Sequence, residues 1–216
     1  QSVATLHGLL KKPVVNQWCE AFWVSLKTEF PDLVRKKREF KFLTTVDIDN
    51  AYLYGEKGFV RSIAGYLNDV ISFNLKSIKK RTLVLLGYVK DPYDTYDFQL
   101  SIIQKYKAKF IYFLLLGDYG TNDKNIPFSN RRLQALIRHL ADYAQVGLHP
   151  SYGARTSFLQ LEKEVFRLSP ILKKEITQSR QHFLQLQFPD TYRNLIDLDV
   201  LNDYTMGYAS HYGFRS

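Results

Sequence analysis

Two carboxylates two positions apart, Asp47 and Asp49, close an apolar run near the first quarter of the chain. Two imidazoles, His149 and His182, stand far downstream, with Arg180 two residues before the second. Residues i and i+2 of an extended strand point to the same side, so Asp47 and Asp49 are expected close together. Like charges at that spacing raise one carboxyl pKa unless a cation lies nearby. A divalent metal resolves the conflict, and a carboxylate with two imidazoles is an established donor set for zinc. Such an ion polarises a carbonyl and acidifies water, which is hydrolytic chemistry. Each residue also has a plainer reading. The aspartates can be turn formers or helix caps ahead of Asn50, His149 before Pro150 a hydrogen-bonded core or loop histidine, and His182 a structural residue in an apolar strand. The metal reading gains from position, because all of them fall at the ends of successive elements.

Those elements begin at about residue 41, where short apolar runs alternate with amphipathic stretches in the manner of strand–helix units around a parallel sheet. Strands are expected at 41–49, 82–86, 109–116, 145–148, 178–184 and 204–206. The run at 109–116 is apolar almost throughout, as a strand buried on both faces should be. Between them, helices are expected with Phe59, Ile63, Tyr66, Leu67, Val70 and Ile71 facing inward, then Phe98, Ile102, Ile103 and Tyr106 behind a Thr95 N-cap. The next carries Leu133, Leu136, Ile137 and Leu140. After it come Phe158, Leu161, Val165, Leu168 and Leu172, with Ser157 and Gln160 as a capping box and Pro170 as a kink or stop. A last helix is expected near 192–198. Six strand–helix units fit the length, as a doubly wound sheet or a closed or nearly closed barrel. In either, ligands sit at the C-terminal ends of the strands, where Asp47, Asp49, Asp118, His149, Arg180 and His182 are found. Residues 1–40 stand outside this rhythm. They read as helical pieces, with Trp18, Phe22 and Leu26 one turn apart and Pro31 as the stop, and are expected to be the remnant of a preceding domain.

The chain has 216 residues, 45% of them hydrophobic, with 15 Tyr and 15 Phe, which excludes disorder and allows a sizeable core. The longest apolar run, at 110–116, is far below the roughly 20 residues of a membrane span. Cys19 is the single cysteine, so no internal disulfide and no cysteine-held zinc can form. There is no glycine-rich phosphate loop, dinucleotide fingerprint or G-x-S-x-G elbow. A net charge of +9 and the basic runs at 35–38 and 76–81 raise a nucleic-acid reading, but neither run is interleaved with aromatics or joined to a recognition motif, so solvated surface charge is preferred. The opening residues are too polar for a signal peptide, which favours a cytoplasmic setting.

Four runs, TTVDIDNAY (44–52), VGLHPSYGAR (146–155), SRQHFL (179–184) and DYTMGYASHYGFR (203–215), occur in the order of the polysaccharide deacetylase motifs. Over residues 41–216 the chain resembles that family, the NodB-homology or carbohydrate esterase 4 group, and within it a bacterial subgroup with an extra N-terminal region. The resemblance implies a distorted (β/α) barrel of six or seven parallel strands, incomplete if the chain stops short of the family's last strands. It implies a divalent metal, commonly zinc, and hydrolysis of N-acetyl or O-acetyl groups on an oligo- or polysaccharide, with no nucleic-acid partner. By the same likeness Asp47 is the base and Asp49 a metal ligand, although Ile48 separates residues that the family has adjacent, so the two roles can be exchanged. His149 and Ser151 match the second motif, but Gly153 stands where its second histidine is usual. His182 replaces the proline of the third motif, and it is read as the ligand that Gly153 fails to supply. The implied set is therefore Asp49, His149 and His182 on the metal, Asp47 and Arg180 in catalysis, and Tyr52, Tyr119, Ser151 and Tyr152 toward sugar. A non-catalytic glycan- or protein-binding member of the same fold is the alternative, because of Gly153.

Overall fold

The computed structural model describes residues 3–208 and 210–214. The outer limits of the 1–40 and 41–216 division, and Ala209 and Arg215 of the terminal motif, lie outside those residues. The elements run α1 (Val3–Leu6), α2 (Val14–Glu29), β1 (Leu43–Ile48), α3 (Phe59–Ile71), α4 (Leu75–Leu85), α5 (Tyr96–Tyr106), β2 (Lys109–Leu114), α6 (Arg131–Ala141), β3 (Gln145–Leu148), α7 (Phe158–Leu172), β4 (Gln178–Ser179), α8 (Asp190–Asp197) and β5 (Asn202–Asp203). No helix among the described residues is long and apolar enough to cross a membrane.

The five strands pair in chain order and all in parallel, curling into part of a barrel. This is consistent with the incomplete distorted barrel expected; the described residues form five strands where six or seven were expected. β2, between β1 and β3, is the most buried strand: residues 110–116 are all buried, and Ile111, Tyr112 and Phe113 are fully so. α6 packs beside β3 and α7 with Leu133, Leu136, Ile137 and Leu140 buried in the core cluster, as their spacing predicts. α7 adds Leu161, Leu168 and Ile171, while Phe158 stays at the surface. Ser157 caps α7 by accepting from the Gln160 amide at 3.2 Å, and Pro170 sits inside the helix without ending it. In β3, Gly147 is required by closeness: a Cβ there would meet the Gln178 carbonyl oxygen of β4 at 2.7 Å.

Three expectations change. Residues 82–85 are the last turn of helix α4 and Leu86 is its C-cap, not a strand. A five-residue apolar run fits either state, and here Asn74 caps a helix by accepting from the Ser77 amide at 3.1 Å. The strand expected over 178–184 stops after Ser179, because the chain turns at Phe183 (φ 57°) and Leu184 (φ 52°), a left-handed backbone no strand can hold. The last strand is Asn202–Asp203, just before the 204–206 expected.

The inward face expected of α3 is misplaced, and that of α5 is right at Ile102 and Ile103 but wrong at Phe98 and Tyr106. In α3, Phe59, Ile63, Leu67, Val70 and Ile71 are exposed and Tyr66 half-buried, while Asp69 is buried. In α5, Phe98 and Tyr106 are exposed, and Tyr96, Leu100 and Ile103 face the core. Thr95 occupies the N-cap without bonding an amide; its hydroxyl accepts from Gln99 Nε2 at 2.9 Å. In α2, Trp18 and Phe22 are exposed.

Candidate metal centre

Parallel pairing brings the C-terminal ends of the strands to one rim. Leu115 N donates to Ile48 O, His149 N to Leu114 O, and Arg180 N to Leu148 O, so each strand's exit is stitched to the next. Asp49, one residue past β1, and His149, one past β3, thereby become neighbours. Asp49 Oδ1 lies 3.2 Å from His149 Nε2. The turn after β4 brings His182 over the rim, its amide donating to Pro150 O at 3.0 Å. Its Nε2 comes to 3.6 Å from Asp49 Oδ2. The two imidazole centroids are 5.1 Å apart, and one donor atom from each of Asp49, His149 and His182 lies within 4.8 Å of the others.

The far side of each ring is committed. His149 Nδ1 is hydrogen-bonded to the Arg180 carbonyl, and His182 Nδ1 faces Asp123 Oδ1 at 2.9 Å. An acceptor at Nδ1 holds the proton there and leaves the Nε2 lone pair facing the cluster, the arrangement that orients metal-binding histidines. Both rings are buried, whereas the Asp49 side chain is 55% exposed, so the cluster opens to solvent on the carboxylate side. The residues fit a divalent cation by number, type and spacing. A tetrahedral zinc with donors at about 2.0–2.1 Å sets them about 3.4 Å apart, close to the 3.2 and 3.6 Å of the two Asp49–His contacts.

The electrostatics agree. With both rings protonated, His149 and then His182 donate through Nε2 to the Asp49 carboxyl and hold it well below the usual carboxylate range, against the opposing effect of burial; a cation bound to the neutral rings would take the place of those protons. Burial alone would lower the His182 pKa, but Asp49 and Asp123 outweigh it and raise it. The pocket therefore favours positive charge at the point where the three donors meet.

Asp47 lies beside the cluster. Its Oδ1 accepts from Arg180 Nη1 at 3.2 Å. Arg180 is fixed by Nε donating to Tyr204 O at 3.0 Å and by Phe113, whose ring centre is 5.2 Å from the guanidinium carbon. A buried web supports this segment: Asp203 accepts from Ser179, from the Thr205 amide and from the Thr205 hydroxyl, and Thr205 Oγ1 accepts from the Gln181 amide.

The other sequence-derived residues lie elsewhere. Tyr52 is buried, edge-on to Tyr96 with Arg132 over its ring. Ser151 is buried too, its amide and hydroxyl donating to the Glu164 carboxylate, so it shapes the loop after β3. Burial pushes the Glu164 carboxyl up, and the bonds from Ser151 and Gln160 counter only part of that shift. Tyr152 stands edge-on to Phe183 under Arg155, and Tyr119 is exposed beneath Arg61 and Lys124. Sequence reasoning missed Asp123. It sits mid-loop after β2, where nothing in the local spacing marks one aspartate from another. Its Oδ1 accepts from the Tyr152 amide as well as facing His182.

Fold and cluster together define a class: a curled parallel sheet with an Asp–His–His set at its C-terminal rim. No family model matches the chain, and no curated protein matches it in sequence. Among solved structures it is similar to a proposed polysaccharide deacetylase from Mycobacterium smegmatis, at 14% identity and a TM-score of 0.49, over 80% of this chain and 54% of that one. It is also similar to IcaB from Ammonifex degensii, at 14% identity and a TM-score of 0.39, over 74% of this chain and 82% of that one. The chain thus spans just over half the length of the first.

Proposed function

We propose that the protein is a metal-dependent hydrolase of the polysaccharide deacetylase type, removing acetyl groups from a carbohydrate. The observation that carries this reading is the convergence of Asp49, His149 and His182, with both histidine Nδ1 atoms engaged away from the cluster. The order of the four sequence motifs supports it. The three residues would hold zinc or a similar divalent ion. Bound there, the ion supplies Lewis acidity toward the acetyl carbonyl and lowers the pKa of water.

The chain's own groups do the rest. Asp47, held by Arg180 and open to solvent, accepts the proton of the attacking water. Because Arg180 is anchored at both Tyr204 and Phe113, it keeps the Asp47 carboxylate aimed at the groove between β1 and β4. That groove, of about 490 Å³, is lined by Asp47, Asp49, His149, His182, Phe183 and Tyr204 among others. Phe183 and Tyr204 offer aromatic faces on which a sugar ring can pack.

The test is metal stoichiometry and affinity of wild type and His182→Ala, with acetate release from acetylated oligosaccharides in parallel. Zinc bound one to one by the wild type, weakened in the variant, with chelator-sensitive acetate release, is the expected result. Equal metal binding in both would remove His182 from the set. Zinc binding with glycan retention and no acetate release would favour the non-catalytic reading that Gly153 raises.

A further inference from the structure

Asp47 and Asp49 also line a second cleft, of about 690 Å³, whose lining includes neither histidine. Its wall carries Lys57, Lys124, Tyr93 and Gln99, none of which the proposed chemistry uses. We propose that this cleft is a subsite for the carboxylate of a uronic acid, so that the substrate is an acetylated acidic glycan; this rests on the hydrolase reading above.

The two carboxylates lining the cleft are engaged elsewhere, and its two lysines are not paired with them. Asp49 is engaged by His149 and His182, Asp47 by Arg180, and Asp91 by the Leu53, Tyr54 and Gly55 amides. Among the described residues no carboxylate lies within ion-pair distance of Lys57 or Lys124. Lys57 Nζ has only a neutral partner: the Asn50 amide oxygen accepts from it at 3.2 Å when the amide nitrogen is turned to the Tyr52 carbonyl. Lys57 is half-buried, and burial, with Arg61 and Arg81 adding to it, outweighs the opposing pull of Asp91 and holds its pKa below the usual lysine value. A partly desolvated ammonium near two guanidinium groups is stabilised by an arriving anion.

A saccharide also meets the remaining features. Gln99, whose Nε2 is held by Thr95, lines the cleft, and its buried Oε1 has no protein partner. The Tyr93 ring is exposed at the cleft. Because Asp47 and Asp49 share the cleft, a singly charged carboxylate is accommodated with less repulsion than a doubly charged phosphate.

The experiment uses the zinc-loaded chain with an acetylated galacturonate oligomer and the same oligomer methyl-esterified at its carboxyls. Wild type is expected to favour the acid over the ester in KM by about tenfold or more, as a charge-assisted contact predicts. Lys57→Met/Lys124→Met should lose that discrimination. The exposed Lys124→Met alone, checked for an unchanged melting temperature, should lose part of it. Calorimetric binding of unacetylated galacturonate oligomer reads the subsite without turnover: charge-dependent binding abolished in the double variant supports the subsite even if no acetate is ever released, an outcome that would sink only the hydrolase reading. Equal affinity for acid and ester, equal affinity of wild type and double variant, or stronger displacement by a phosphorylated hexose than by galacturonate would overturn the proposal.

Discussion

The two flanks of the sheet are held by different physics. On the α6–α7 flank the helices bury Leu136, Ile137, Leu140, Leu161 and Leu168 against β2 and β3, an apolar core in the ordinary sense. On the α3–α4 flank the buried side chains of the helices are Asp69 and Arg81. Arg81 reaches Asp69 Oδ2 through Nε at 3.0 Å and Nη2 at 2.7 Å, between the rings of Tyr54 and Tyr66. Tyr66 in turn shares a 2.8 Å hydrogen bond with Thr82, and Gly65 leaves the space that the guanidinium fills. The contrast teaches that an amphipathic stripe marks a helix without marking which face is covered. Phe59, Ile63, Leu67, Val70 and Ile71 of α3 point to solvent, and the side chain the helix buries is Asp69.

Breaking the polar clasp should have the largest effect. Asp69→Ala leaves Arg81 buried and unpaired, and is expected to cost about 3–5 kcal/mol. Hydrogen exchange would report the loss in residues 59–85 first, with β2 amides still protected. Asp69→Leu/Arg81→Met together should recover most of it, since a buried pair is often replaceable by apolar residues. If the single change is silent, the two flanks do not differ as described.

On the other flank, Leu168→Ala empties a fully buried site and should cost about 2–5 kcal/mol in urea denaturation, lowering protection across β2 and β3 as one unit. Between the flanks, Asp123→Asn tests the site. The amide can still bond, but the charge that orients His182 is gone, and zinc affinity should fall about 10–100-fold with little change in melting temperature.

Next comes pH. Burial would raise the Asp91 carboxyl, but the amides of Gly55, Tyr54, Leu53 and Tyr93 outweigh it, so its folded pKa lies below the unfolded value. Its contribution is then present above the unfolded pKa of about 3.9 and is lost as pH falls through the folded value. Asp91→Ala should cost about 1–3 kcal/mol at neutral pH and flatten the acid limb of stability. The smallest effect belongs to Val70→Ala, on the open face of α3, expected within about 0.5 kcal/mol of wild type by chemical denaturation.

How far the sequence could be read follows the same division. The strand over 109–116 and the helix with Leu133, Leu136, Ile137 and Leu140 were legible because apolar burial there is complete and periodic. That Asp49 and His149 meet was legible because parallel strands deliver their exits to one rim, whereas His182, expected inside a strand, reaches them from the turn after it. The helical state of 82–85 was not legible, since a short apolar run carries no period and the partner that fixes it, Asp69 with Arg81, lies twelve residues apart. Nor was the bend that swings His182 inward, which depends on left-handed residues that are not glycine. Tyr52 and Ser151, read toward sugar from motif position, lie buried in Tyr96 and Glu164 contacts that only tertiary structure reveals. Asp123 depends on a loop whose path no local pattern states.

That aspartate binds two fates together. One oxygen serves both the His182 ring and the Tyr152 backbone, so the stretch between β2 and α6 and the turn after β3 share a single hinge pin. Lengthening either segment is tolerable only where the pin keeps its place, and a graft that swaps one without the other would unseat the imidazole while leaving every strand intact.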